Sequence, residues 1–106
     1  MKRLTSGEET ILLILWKLEE ASVKEILAHF ETAPAYNTVS TLIRILEKKK
    51  FVRHKKVGRG YMYKPIVSKE SYRDYLSTFL LENYFDSKTE DLISHFNKNK
   101  KLSELL

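Results

Sequence analysis

Apolar residues recur at intervals of three and four along most of this chain. Val39, Leu42, Ile43 and Leu46 fall at i, i+3, i+4 and i+7, which predicts a helix from about Tyr36 to Lys50 with one buried stripe. An earlier run, Ile11, Leu12, Leu13, Ile14, Leu15, Trp16 and Leu18, covers more than one face. It predicts a helix buried in the middle of a small fold. Its start falls near Ser6, whose hydroxyl can cap while Glu9 completes an S-x-x-E box. A second box at Ser22 and Glu25 opens a short helix that turns Val23, Ile26, Leu27 and Phe30 inward. Thr32-Ala33-Pro34 then breaks the chain, because Pro34 disfavours helical geometry in the residue before it.

Beyond the third helix the pattern changes. Phe51 to Val57 and Tyr61 to Lys64 are short β-branched or aromatic runs, and Gly58-Arg59-Gly60 between them is a hairpin signal. Pro65 ends the second run. Helix, helix, helix, hairpin is the layout of a winged helix-turn-helix. The expected fold class is therefore mainly α with a small β-hairpin wing. Residues 1–67 form the winged helix-turn-helix and residues 68–106 a C-terminal helical region.

The last third carries its own stripes. Tyr72, Tyr75, Leu76, Phe79, Leu80, Asn83 and Tyr84 repeat at three and four on a helix of roughly 17 residues. Ser87 and Glu90 make a third capping box, before a helix carrying Leu92, Ile93 and Phe96. After a polar stretch from Asn97 to Lys101 come Leu102, Leu105 and Leu106. A winged-helix core covers only part of this apolar surface. The simplest partner for the remainder is a second copy of the chain. Tyr72, Tyr75, Leu76, Phe79, Leu80, Tyr84, Leu92, Ile93 and Phe96 are thus the expected dimerisation residues.

Composition narrows the classes. With 106 residues, 42% of them apolar, the chain fits one modest core. It contains no cysteine, which excludes disulfides, thiolate metal sites and cysteine nucleophiles. The longest apolar run, Ile11 to Trp16, is too short to span a bilayer and lacks the flanks of a signal peptide, so a cytoplasmic protein is expected. His29, His54 and His95 are scattered, with no partner at metal-ligand spacing. No nucleophile motif or phosphate-cradling glycine loop is present. The expectation is a protein with no catalytic residues, no metal and no cofactor.

Charge points to a partner. Met1 to Val67 holds 13 Lys/Arg against 7 Asp/Glu, whereas Ser68 to Leu106 holds 6 against 7. Arg44 to Lys64 alone contains nine basic residues and one acid, Glu47. So local an excess suits an anionic partner such as nucleic acid, although charge runs also serve as solvated surface. The third helix adds the second half of the argument. Asn37, Ser40, Thr41, Arg44 and Lys48 gather opposite its apolar stripe. A helix entering the major groove needs short donors and acceptors there, so that its backbone can approach the base edges.

Asn37, Thr38, Ser40 and Thr41 are such residues. Asn37 can pair with adenine, Thr41 can set its methyl against thymine, and Arg44 reaches guanine or a phosphate. Lys48, with Lys49 and Lys50, sits where cations suit either flanking phosphates or the helix dipole. Arg59 at the hairpin tip is placed to reach backbone or minor groove. Asn37, Thr38 and Ser40 are also ordinary first-turn residues. Gly58 and Gly60 are expected from the turn alone, and Tyr61 and Tyr63 as strand residues covering the core. A basic winged helix facing an acidic protein is the rival reading, and an RNA-binding winged helix a third.

The spans LTSGEETILLILWKLEEASVKEILAHF and AYNTVSTLIRILEKKKFVRHKKVGRGYMYKPIVSKE resemble the penicillinase-repressor family (BlaI/MecI/CopY). The Trp16 helix, the T-V-x-T-L-I core with its E-K-K end, and the G-R-G-Y-x-Y-x-P wing carry the resemblance. It implies a homodimeric bacterial repressor that binds a palindromic operator in double-stranded DNA. The family's recognition contacts would fall on Asn37, Thr38, Ser40, Thr41 and Arg44. Members often carry a basic residue where this chain has Ile45. In β-lactam-responsive members a regulatory protease cuts after an asparagine in the dimerisation helices; here that position is His95, before Phe96, so the asparagine is missing. The copper-responsive branch uses a C-terminal cysteine motif, which this chain lacks. Relatives usually continue into a further helix, which implies a smaller dimer contact here or a shortened chain.

Overall fold

The computed structural model describes residues 1–104, so the expected apolar positions Leu105 and Leu106 lie outside the described residues. The order is α1 (Ser6–Leu18), α2 (Val23–Leu27), α3 (Tyr36–Lys48), β1 (Val52–Val57), β2 (Gly60–Pro65), α4 (Lys69–Tyr84), α5 (Thr89–Lys98) and α6 (Lys100–Ser103). This is the winged helix-turn-helix layout with helices following it. The chain forms two compact units, Met1–Ser71 and Tyr72–Leu106.

In the first unit, α1 is capped one residue earlier than expected. The Thr5 hydroxyl accepts from the Glu8 amide at 3.3 Å, and Glu8 Oε1 accepts from the Thr5 amide at 2.9 Å. Thr5-x-x-Glu8 and Ser6-x-x-Glu9 both fit the capping pattern. The first wins because Glu8 points into the fold. Ile11, Leu12 and Leu15 are fully buried, but Leu13 is 51% exposed, so α1 is covered on one side rather than all round. Trp16 donates its indole N–H to the Val67 carbonyl at 2.9 Å, fastening α1 to the end of the hairpin. Ser22 and Glu25 form the capping box of α2 as expected.

Helix α3 buries Val39, Ile43 and Leu46. It stops at Lys48, two residues short of the expected end. Lys50 turns left-handed at φ 66°, and its N–H donates to Glu47 while Phe51 N–H donates to Leu46, both at 2.9 Å. That is a Schellman closure, with buried Phe51 and Leu46 as its apolar pair. Phe51 also accepts from Ile66 N–H at 2.8 Å, which returns the far end of the hairpin to the helix.

β1 and β2 pair antiparallel, with Val52 opposite Pro65, His54 opposite Tyr63, Lys56 opposite Tyr61 and Val57 opposite Gly60. Gly58 and Arg59 alone form the turn. Gly58 lies at φ 60°, the left-handed conformation demanded at the first central position of a type II′ turn. Gly60 has no such conformation, so only one of the two expected turn glycines is required. A further pairing has no sequence signature. Ala21 and Tyr63 exchange N–H···O bonds at 2.9 and 2.8 Å, adding a one-residue third strand to the wing's root. The root is buried at Val52 and Tyr63, Met62 and Pro65 are half-buried, and the rest of the hairpin stands in solvent.

In the second unit the rings of α4 run in series. Tyr72 stacks on Tyr75 at 6.0 Å, Tyr75 meets Phe79 at 6.4 Å, and Phe79 meets Tyr84 at 6.3 Å. Asn83, which interrupts the apolar stripe, donates to the Phe79 carbonyl at 2.9 Å and is satisfied within its own helix. The capping box expected at Ser87 does not form. Asp86 and Ser87 are left-handed at φ 48° and 61°, Lys88 is the residue before α5, and no side chain caps it. Ser87 N–H instead closes back onto Leu81 at 2.9 Å, so this residue ends α4 rather than starting α5. His95 sits between the rings of Phe85 and Phe96, at 5.5 and 6.2 Å.

Candidate nucleic-acid interface

The outward face of α3 forms because its apolar residues are confined to one stripe. Asn37, Thr38, Thr41, Arg44 and Lys48 are exposed and Ser40 is half-buried. Arg44 Nη2 donates to Ser40 Oγ at 3.3 Å, one helical turn back. That bond steadies a long guanidinium over the middle of the helix. Ala35 precedes α3 without a side-chain cap, and the first turn holds no acid. The positive end of the helix dipole is therefore left for an anion.

The wing brings its own cations beside this face. A cleft of about 390 Å³ is lined by the α2 cap Ser22 and Lys24 of α2, Tyr36, Asn37, Ser40 and Arg44 of α3, and Arg59 and Tyr61 of the hairpin, among others. Of the residues expected from sequence, Asn37, Ser40, Arg44 and Arg59 are thus drawn to one place. Thr38, Thr41 and Lys48 lie farther round the exposed face of the same helix. Four of the named lining residues were missed, the α2 cap Ser22 among them. Lys24 enters from the first turn of α2, and Tyr36 is 56% exposed at the start of α3. Tyr61, expected on the core, is 49% exposed and faces the cleft, whereas Tyr63, which also borders the cleft, is buried as expected. The period of two in β2 puts both tyrosines on one face, but only the protruding hairpin separates their surroundings.

Not every cation in the basic run is available. Lys49 Nζ reaches Glu8 at 2.8 Å, Lys55 lies 3.5 Å from Glu20, and Glu47 is bound by both the amide and the ring of His54. Burial alone would raise the Glu8 carboxyl. The hydrogen bonds from Lys49 and Thr5, with the Lys49 charge, outweigh it and hold Glu8 below its ordinary value of 4.5. Burial, reinforced by Glu47, pushes the Tyr63 hydroxyl above its ordinary 10.0, although Arg44 pulls the other way.

The nine expected dimerisation residues divide by exposure. Tyr72 is buried within the chain itself, and Tyr75, Leu76, Phe79, Leu80 and Leu92 are half-buried. Tyr84, Ile93 and Phe96 are 66%, 55% and 38% exposed.

The chain is similar to the penicillinase repressor of Bacillus licheniformis, with 21% identity over 103 residues that cover 95% of this chain and 80% of that protein. The solution structure of the DNA-binding domain of the repressor BlaI superposes with a TM-score of 0.58 at 23% identity, covering 68% of this chain and 94% of that one. The monomeric form of Bacillus licheniformis BlaI, solved in complex with the blaP half-operator, gives a TM-score of 0.57 at 22% identity, covering 67% and 89%. These two likenesses establish the winged-helix fold. The penicillinase repressor pattern matches residues 4–105, nearly the whole chain. The family is one of repressors and not of enzymes. This chain belongs to the penicillinase repressor family.

Proposed function

We propose that the chain is a sequence-specific, double-stranded DNA-binding transcriptional repressor that acts as a homodimer on a palindromic operator. The observation that carries this reading is the convergence of Asn37 and Arg44 on α3 with Arg59 on the wing in one cationic cleft. Short polar residues admit the helix to a major groove, and the flanking cations meet the phosphates on either side. Residues 1–67 are the DNA-binding part and residues 68–106 the dimerisation part in this reading. Arg44 and Asn37 read base edges. Thr38, Ser40 and Thr41 fit the helix to the groove. Lys48 and Arg59 hold the backbone.

The Bacillus licheniformis BlaI monomer occupies a half-operator. By analogy one copy of this chain takes half a site, and two copies joined through Tyr84, Ile93 and Phe96 take both halves. The α3 helices then enter major grooves about one turn apart. Occupying a promoter in this way represses it without chemistry, so neither catalytic residue nor cofactor takes part. Among the described residues no helix is long and apolar enough to cross a membrane, and the reading places the protein in the bacterial cytoplasm.

An anisotropy titration with random-sequence duplex DNA tests the reading. Binding at low salt that weakens steeply as salt rises is expected, because each neutralised phosphate releases counterions. No binding at the lowest salt would instead favour an acidic protein as the partner of the same surface.

A further inference from the structure

We infer that Ile45 reads thymine 5-methyl groups, together with Thr38 and Thr41, along the edge of α3 that lies away from the wing. This rests on the DNA-binding reading above. Ile45 is 37% exposed on a helix whose other outward residues beyond Tyr36 in the first turn, namely Asn37, Thr38, Thr41, Arg44 and Lys48, are polar or charged. A single exposed apolar side chain is ordinary on a protein surface. The placement of this one is not.

At about 100° per residue, Thr38, Thr41 and Ile45 fall within about 60° of one another. They form a line of methyl-bearing side chains over successive turns. Tyr36, Asn37, Ser40 and Arg44 occupy the other edge and line the cleft shared with the wing. The two edges of α3 therefore differ: hydrogen bonds and the Arg44 charge face the cleft, and the other edge carries methyl groups beside the exposed Lys48.

In the major groove only thymine offers a methyl group. A side chain without donor or acceptor gains nothing from an exocyclic amine or a carbonyl, and covering either one without a hydrogen bond costs free energy. Isoleucine is also stiff at χ1, so it loses little rotamer freedom on contact. Arg44 precedes it in the chain and is held by Ser40 at 3.3 Å. A thymine read by Ile45 thus lies near the base pair read by Arg44.

The test begins by enriching a duplex from a library with a randomised centre, using the intact chain. Each thymine of that duplex is then replaced in turn by deoxyuridine, which removes only the methyl group. The expected result is a loss of about fourfold in affinity at each thymine so read, including one under Ile45 in each half-site, the scale of one methyl group leaving an apolar contact. Ile45→Ala is expected to abolish the sensitivity at that thymine while keeping the wild-type circular dichroism spectrum and a urea midpoint close to wild type, which report that the variant is folded. Wild-type indifference at every thymine overturns the inference, as does an Ile45→Ala variant that keeps the full pattern. Failure of any duplex to enrich overturns the DNA-binding reading itself, and so is told apart from a failure at Ile45.

Discussion

Lys49 Nζ lies 2.8 Å from Glu8 Oε2 and ties the end of α3 to the first turn of α1. The Glu8 side chain is 2% exposed and also receives the Thr5 amide. One carboxylate therefore caps α1 and anchors the helix that carries the candidate recognition face. Lys49→Ala leaves this carboxylate buried without its cation. The variant is expected to lose about 1–3 kcal/mol in urea unfolding. The salt dependence of its DNA binding should match wild type, because Lys49 is turned inward.

The same pair sets a pH dependence. The folded-state pKa of Glu8 is below its ordinary 4.5. Its contribution to stability is therefore complete above that value and disappears as pH falls through the lower folded one. Comparison of wild type with Glu8→Gln by urea unfolding should give a constant gap from neutral pH down to about 5 and a narrowing gap below 4.5. A gap that widened with acid would contradict the pairing.

Arg44 and Arg59 line one cleft but have different tasks in the proposed complex. Arg44→Ala should cost about 1–3 kcal/mol on the preferred duplex and relax selectivity at one base pair. Arg59→Ala should weaken all duplexes alike and reduce the salt slope by about one. Competition titrations at several salt concentrations separate the two.

Three backbone positions give different expectations for small substitutions. Gly58 is left-handed at φ 60°, so Gly58→Ala should lose about 1 kcal/mol although a methyl group there meets open space. Gly60→Ala, with ordinary backbone and equally open space, should be close to neutral. Lys50 adopts φ 66° where glycine is usual, so Lys50→Gly should gain about 1 kcal/mol. A fall in salt slope for that last variant would show Lys50 on a phosphate.

Helices α1, α2 and α3 were legible because each buries one periodic stripe, as Val39, Ile43 and Leu46 do in α3, and the hairpin was legible from its Gly58-Arg59-Gly60 turn. Three features were not. The caps of α1 and α5 were misplaced: adjacent residues fit the box at Thr5 and Ser6, and a left-handed Ser87 removes the Ser87–Glu90 box altogether. The Ala21–Tyr63 pairing is one residue long and so leaves no pattern. Within the site, composition gave the charge of the Arg44 to Lys64 run but not its division. Tertiary contacts turn Lys49 toward Glu8 and Lys55 toward Glu20, and bring Lys24 and Tyr61 to the cleft. Such sorting depends on which helix ends meet, and that is a property of the assembled fold.

Joining of two copies is expected to need Ile93 and Phe96. Replacing both by Glu should shift the chain toward monomer in sedimentation velocity. It should also weaken binding to a two-half-site duplex far more than to a half-site.

The central claim is that α3 sits in the major groove. Dimethyl sulfate interference tests it on the enriched duplex, because methylation at guanine N7 marks the major groove and methylation at adenine N3 marks the minor groove. The expected result is interference at guanine N7 in two clusters about 10 base pairs apart. Interference confined to adenine N3, with every guanine N7 silent, would contradict it.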